Sequence, residues 1–302
     1  EGHFDMSKED PQVRLAHIAG VQGDNSLKVR LATKPGAPHD NSLKVCLAAL
    51  PGTPSDNPLR KTSRREDVLI KEEYAPHLLI SYYYLKGFYE NRKDYVYRDW
   101  VMDSGAFSAH NSGVEINLND YMTTCKSIMA EDLTLTEIFA LDIINDHEAT
   151  LHNVEVMWDN GIPAIPCYHY GSPESELLHL AANYPKIAIG GCVGLHSKQK
   201  LEFARQVFAR VWPKPIHGFG FGSEDAILGL PFQSTDATNW ESGPCMFGRW
   251  KSFGNLSVRG SKQDLRSEIK YYHDLQLKAR IKWRKEMAQL NYIPCLVRDR
   301  QG

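Results

Sequence analysis

Apolar runs of five to eight residues alternate with longer stretches of helical spacing from residue 77 to residue 236. The runs are residues 77–83 (HLLISYY), 99–103 (DWVMD), 138–142 (IFALD), 162–169 (IPAIPCYH), 186–191 (KIAIGG), 216–222 (IHGFGFG) and 232–236 (FQSTD). Several are almost unbroken in apolar residues, as strands covered on both faces are. Helical spacing falls at residues 118–129, 149–161, 174–184, 197–212 and, briefly, 223–230. The alternation predicts an α/β fold with a parallel sheet. An eighth strand within residues 248–258 (GRWKSFGNLSV) would close it into a (β/α)8 TIM barrel.

A long last helix is predicted to open near Ser261, whose hydroxyl suits a cap, with Leu265, Ile269, Tyr272, Ala279, Trp283, Met287 and Leu290 along one face. That stripe predicts packing against the barrel. The opposite face carries Lys278, Arg280, Lys282, Arg284 and Lys285, and residues 259–302 hold eleven Lys or Arg against five Asp or Glu. Because the 302-residue chain has a formal charge of −2, phosphate contacts must come from a local patch, and this basic helix is the candidate.

The N-terminal segment has a different texture. DNSLKVRLATKPGAPH (24–39) is followed by DNSLKVCLAALPGTPS (40–55), and a degraded copy starts at Val13. Each unit has one short apolar run and a Pro-Gly turn, too little to bury a core alone. Residues 1–66 are therefore expected to form a repeat-bearing flexible extension, and residues 67–302 the barrel domain. Cys46, Cys125, Cys167, Cys192, Cys245 and Cys295 form no C-x-x-C pair, and no apolar stretch reaches the roughly 18 residues of a membrane span. Reduced thiols, no membrane partner and a cytoplasmic location are expected.

In a β/α barrel the chemistry lies at the C-terminal ends of the strands. Asp103, Asp142 and Asp236 each end an apolar run, joined at other strand ends by His169, by Gly190 with Gly191, and by Gly220 with Gly222. A lone aspartate after a strand often serves as a cap or turn residue. Three of them, with glycines at two further strand ends, predict a shared pocket. One carboxylate can attack an electrophilic sugar carbon while a second moves protons on the leaving and entering groups. The glycines let a flat ligand approach the backbone. These residues suit base exchange on a ribose and glycoside hydrolysis equally.

The motifs DSGAFS (103–108), FALD (139–142), IGGCVG (189–194), HGFGFGSEDAI (217–227) and STDATNW (234–240) follow one another in an order and spacing that resembles the tRNA-guanine transglycosylase (queuine tRNA-ribosyltransferase) superfamily. The likeness covers about residues 77–240. It implies Asp236 as nucleophile at C1′, Asp103 as general acid/base and Asp142 as the partner of the heterocycle's amidine-like edge. Gly190, Gly191 and Gly220 would present backbone to the base, and Ser104 and Phe107 would shape the pocket.

The chain departs from the family pattern in several places. Gly-Ala at 105–106 replaces Gly-Gly, Ser108 replaces a glutamine, and CYHYG places His169 or Tyr170 where the family reads the base with an amide. The zinc motif is missing: Cys245, His273 and Cys295 have no recognisable ligand spacing, so neither metal nor cofactor is expected. A zinc-lacking relative with TDATNW resembles the phage-type branch that inserts 7-deazaguanine bases into DNA, which would place it in a host cytoplasm. Nucleic acid, DNA in preference to tRNA, and a 7-deazaguanine such as preQ0 are the partners this implies. Arg280, Lys282, Arg284 and Lys285 are the candidate backbone contacts. Trp240, Trp250 and Tyr82 are candidates to stack on a flipped base. A transglycosylase acting on tRNA, a barrel glycoside or nucleoside hydrolase, and a silent binder of modified bases stay open, as does a homodimer or partner protein.

Overall fold

A computed structural model describes residues 43–48, 59, 70–254, 256–257, 265–290, 292 and 296. Eight strands form one parallel sheet: β1 Lys44–Ala48, β2 His77–Ser81, β3 Asp99–Asp103, β4 Leu135–Ile138, β5 Cys167–His169, β6 Ile187–Gly190, β7 Ile216–Gly218 and β8 Ser234–Ala237. Their order is β4-β3-β2-β1-β8-β7-β6-β5. The outer strands meet through a parallel bridge between Phe139 and Ile165, where Ile165 N–H donates to Ile138 O at 2.8 Å and Ala140 N–H to Ile165 O at 2.9 Å. The sheet is curled and TIM-barrel-like. Helices α1 Leu85–Tyr89, α2 Ala106–Asn111, α3 Leu118–Glu131, α4 His147–Asp159, α5 Glu174–Asn183, α6 Ser197–Val211, α7 Glu224–Gly229 and α8 Asn239–Phe247 follow the strands, and α9 Arg266–Lys282 and α10 Arg284–Met287 end the described chain.

Side chains alternate in direction along each strand, and this alternation sorts the core into two layers. Trp100 and Met102 of β3 pack outward under the helices with Val45, Leu47, Leu78 and Ile187. Val101 turns inward with Cys46 of β1, Leu79 of β2, Cys167 of β5, Ala188 of β6 and the bridged pair Phe139 and Ile165, to fill the lumen. Asp103 lies two residues beyond Val101 and so shares its inward face at the strand's C-terminal end. At the opposite end the inward groups are charged. Lys44 donates to Asp99 at 3.2 Å, His77 Nδ1 lies 2.6 Å from Asp99, and Lys186 donates to both oxygens of Glu137 at 2.7 and 2.9 Å. Pairing makes such burial tolerable, since an isolated buried charge would be costly.

Strand β1 overturns two expectations. It comes from the second repeat unit, so the boundary at residue 66 does not hold for residues 43–48. It pairs with β2 on one side and β8 on the other, with Cys46 in register with both His77 and Asp236. Neighbours on both sides supply the ladder that an isolated repeat unit lacks. The eighth strand expected within residues 248–258 is instead a separate antiparallel pair, β9 Arg249–Trp250 with β10 Leu256–Ser257. The other repeat units and Ser261 lie outside the described residues.

The last helix packs as its stripe predicts: Ile269, Tyr272, Ala279, Met287 and Leu290 are buried. Its basic face, however, lies at the end of the barrel away from the three carboxylates. Arg280 Nε donates to Leu43 O at 3.0 Å, below the first residue of β1, and Lys282 Nζ donates to Leu228 O at 2.6 Å, at the end of α7. Helix α9 runs antiparallel to β1, so Arg280, Lys282 and the following Arg284 and Lys285 sit by the N-terminal ends of the strands. The carboxylates lie at the other end. Arg280 serves as a clamp on β1.

Leu47→Ala tests the inclusion of β1, because Leu47 is 1% exposed. Urea unfolding is expected to register a loss of about 2–5 kcal/mol. A loss under about 0.5 kcal/mol would return the segment to an extension.

Candidate active site

The loop after β3 is shaped by Gly105, whose φ of +74° and close approach to Tyr83 leave no room for a side chain: a Cβ would lie 2.9 Å from Tyr83 N. The turn brings Gly105 N–H to Asp103 Oδ2 at 3.1 Å. Ser104 is buried, with its Oγ 3.5 Å from Ala106 N. Phe107, on the first turn of α2, is 51% exposed, so it stands at an open mouth and does not close a slot.

Asp142 lies four residues beyond β4, where Oδ2 meets His169 Nε2 at 3.2 Å. Its Oδ1 is buried and has no hydrogen-bond partner among the described residues. Gly190 and Gly191 make room for this group: a Cβ at Gly190 would lie 3.1 Å from Cys167 Sγ, and one at Gly191 3.1 Å from His169 Cβ. Asp142, Cys167 and His169 each offer a donor atom, all within 4.8 Å of one another, and are the set among the described residues that could hold a metal ion. The Cys167 sulfur and the Asp142 carboxylate hold His169 above its usual value, against its burial. Burial pushes the Cys167 thiol itself up to about 11.

Asp236 ends the inward face of β8. Its Oδ1 accepts Gly220 N–H at 2.6 Å, which the loop after β7 delivers because Gly220 adopts a φ of +73°. Gly222 lets that loop touch β8, since a Cβ there would lie 2.6 Å from Ala237 Cβ. Beside Asp236 opens a cavity of about 190 Å³, lined by Ser197, Lys200, Ser223, Thr238 and Asn239 among others.

Asp103 feels the other two carboxylates. Asp103 is pushed up to about 7, first by burial and then by the charges of Asp142 and Asp236, against the Gly105 N–H that favours its ionised form. Asp236 rises to about 6 by burial, held back by the Gly220 N–H and the Lys200 ammonium. The site therefore has one acid ionised at neutral pH and one divided between its two forms.

Sequence reasoning brought Asp103, Ser104, Asp142, His169, Gly190, Gly191, Gly220 and Asp236 to one end of the barrel, and the structure places them there. Two stacking candidates fail. Trp240 is fully buried and donates its indole N–H to Ala48 O at 3.0 Å, and Trp250 is buried as well. Tyr82 is half-buried, edge-on to Tyr121 with ring centroids 4.9 Å apart. Lys200 and His217 were missed. Lys200 lies on a helix with no motif around it, and His217 sits inside a glycine-rich motif that drew attention to its neighbours.

No family model and no curated protein matches the sequence. Among solved structures, the chain is similar to the carboxyl transferase domain from Rhizobium etli pyruvate carboxylase. With 3-bromopyruvate bound the identity is 13% over 83% of this chain and 49% of that one, with a TM-score of 0.42. With pyruvate it is 15% over 86% and 49%, with a TM-score of 0.41. The chain spans about half the length of those domains, and so distant a likeness carries no argument about chemistry.

The raised Asp103 value has a consequence for stability. Between about pH 4 and pH 7 the folded chain keeps a proton that the unfolded chain, with its ordinary carboxyl near 3.8, releases. Stability falls as pH rises through that window. Asp103→Asn removes the buried charge, so its melting temperature should exceed that of the wild type at pH 8, by a margin that shrinks toward pH 4. Equal margins at both pH values would refute the burial.

Proposed function

We propose that the protein is a base-exchange glycosyltransferase, replacing a guanine in nucleic acid, DNA in preference to tRNA, with a 7-deazaguanine. The observation that carries this reading is the convergence of Asp103, Asp142 and Asp236, from three separate strand ends, at one barrel mouth, where two of them take different proton affinities. The motif resemblance adds the nature of the substrate. Asp236, ionised at neutral pH, is the nucleophile. Asp103, near half-protonated, is the acid and then the base. The unpartnered Asp142 Oδ1 is an acceptor for an N–H on the base edge, and His169 fixes the other oxygen.

In the first step an Asp236 oxygen bonds to C1′ as the bond from C1′ to the guanine nitrogen breaks, and Asp103 gives its proton to the departing base. In the second, Asp103 takes a proton from the entering 7-deazaguanine, whose ring nitrogen displaces Asp236 as carboxylate. Two inversions restore the original configuration at C1′ and leave the polymer unbroken. With the α9 basic face at the far end of the barrel, the cavity holding Lys200 is the better place for the sugar-phosphate, since it adjoins the nucleophile.

Asp236→Ala should abolish any covalent nucleotide adduct in denaturing gels, while Asp103→Ala should slow exchange about 10²–10⁴-fold with the fold intact. An Asp236→Ala enzyme exchanging base at the wild-type rate would end the assignment. The pH profile of kcat/KM should be a narrow bell, rising through about pH 6 as Asp236 ionises and falling beyond about pH 7 as Asp103 loses its proton; a flat profile from pH 5 to 9 would contradict these roles. Lys200→Ala should raise KM for the polynucleotide and leave the affinity for the free base unchanged.

A further inference from the structure

His217 of β7 is fully buried, its ring lies 4.6 Å from each of Phe139 and Phe219, and none of the steps above uses it. Its tautomer follows from the groups that face its two ring nitrogens. Lys186 Nζ donates to Glu137, to Gln233 Oε1 at 2.5 Å and to Ser234 Oγ at 2.9 Å. An ammonium only donates, so Ser234 Oγ is an acceptor toward Lys186 and its own hydrogen is free. His217 Nδ1 lies 2.9 Å from that Oγ. Ser234 Oγ has a second lone pair as well as its own hydrogen, so Nδ1 can accept from the hydroxyl or donate to it. Because Nε2 faces a carboxylate oxygen, a proton there replaces lone-pair repulsion with attraction, which favours Nδ1 accepting and the ring's one proton on Nε2.

Burial, and then the Lys186 charge, holds the imidazole well below its usual value, so the ring stays neutral. Nε2 is buried and has no hydrogen-bond partner among the described residues. It lies 3.9 Å from Asp236 Oδ1, the oxygen that also accepts Gly220 N–H. That is beyond hydrogen-bond reach, yet a shift of about 1 Å would close it. A buried donor without an acceptor is costly, which favours that closure.

We propose that His217 is a positioning residue for Asp236: the chain Lys186–Ser234 locks it in the Nε2–H tautomer, and that N–H closes onto the Asp236 carboxylate whenever the carboxylate bears its full charge. The catalytic meaning rests on Asp236 being the nucleophile; the tautomer and the coupling do not. The donor steadies the carboxylate before attack and again as it leaves C1′. The charged and titratable groups around the pair are Lys186, the residue before β6, which lowers His217; Glu137 on β4, which pairs with Lys186; Asp236 on β8; Lys200 on α6, which lowers Asp236; and Cys46 on β1, in register with Asp236, a buried thiol that stays neutral.

Two measurements on the full chain test this without needing turnover. In ¹⁵N-histidine-labelled protein, the His217 signals, identified by their loss in His217→Gln, should show an unprotonated Nδ1 and a protonated Nε2. In ¹³C-aspartate-labelled protein, identified by Asp236→Asn, Asp236 should become about tenfold weaker as an acid in His217→Leu and in Ser234→Ala. It should stay near its wild-type value in His217→Gln, whose amide N–H replaces Nε2–H. Should His217→Leu not fold, Ser234→Ala carries the test. A protonated Nδ1, or unchanged Asp236 titration in Ser234→Ala, overturns the proposal. Base exchange is assayed alongside: its absence from wild-type protein that shows both NMR results would end the transferase reading and leave the coupling standing.

Discussion

The register of β1 between β2 and β8 is the constraint on which the site depends. In a parallel sheet a slip of one residue sends every side chain to the other face. With Cys46 opposite Asp236, and β2 in turn holding Ser81 opposite Asp103, both carboxylates face the same lumen from opposite sides of β1 and β2. Remove the strand and the two aspartates lose their common frame. Its sequence also selects which repeat unit supplies it: the second unit places Cys46 in the apolar lumen, where the first would place Arg30. An unpaired arginine there would cost several kcal/mol, on the order expected for a buried ion without a partner.

The lumen is graded along its axis. Paired charges lie at the N-terminal ends of the strands, apolar side chains fill the middle, and carboxylates with backbone donors line the mouth. The apolar layer desolvates the mouth from below and lifts Asp103 and Asp236 toward neutral pH. Backbone N–H groups from Gly105 and Gly220 oppose that lift in both, while the charges of Asp142 and Asp236 add to it at Asp103 and the Lys200 ammonium offsets it at Asp236. Lys186 joins the layers, since the same ammonium that neutralises Glu137 also orders Ser234 and, through it, His217.

Much of this was legible in the sequence, for physical reasons that also explain the omissions. Strands covered on both faces leave unbroken apolar runs, so β2, β3, β6 and β8 were placed closely and the aspartates at their ends followed. Strand β4 was placed late, at 138–142, because its Thr136 and Glu137 look solvated; Glu137 is buried only because Lys186, far away in sequence, pairs with it. Strand β1 was hidden by its repeat, whose low apolar content says nothing of partners on both sides. The stripe of α9 showed which face packs, but periodicity cannot say which end of a barrel a helix covers, so it could not show that the basic residues lie far from the carboxylates. His217 stood in a quoted motif without a signal of its own, since its neighbours Ser234 and Asp236 come from another strand.

The most direct measurement is incorporation of radiolabelled guanine and of a 7-deazaguanine into DNA and into tRNA, side by side, with the purified chain. Label retained in intact DNA, and little in tRNA, is the result this account predicts. Release of free guanine with no label entering either polymer would contradict it, and would make the three carboxylates those of a hydrolase.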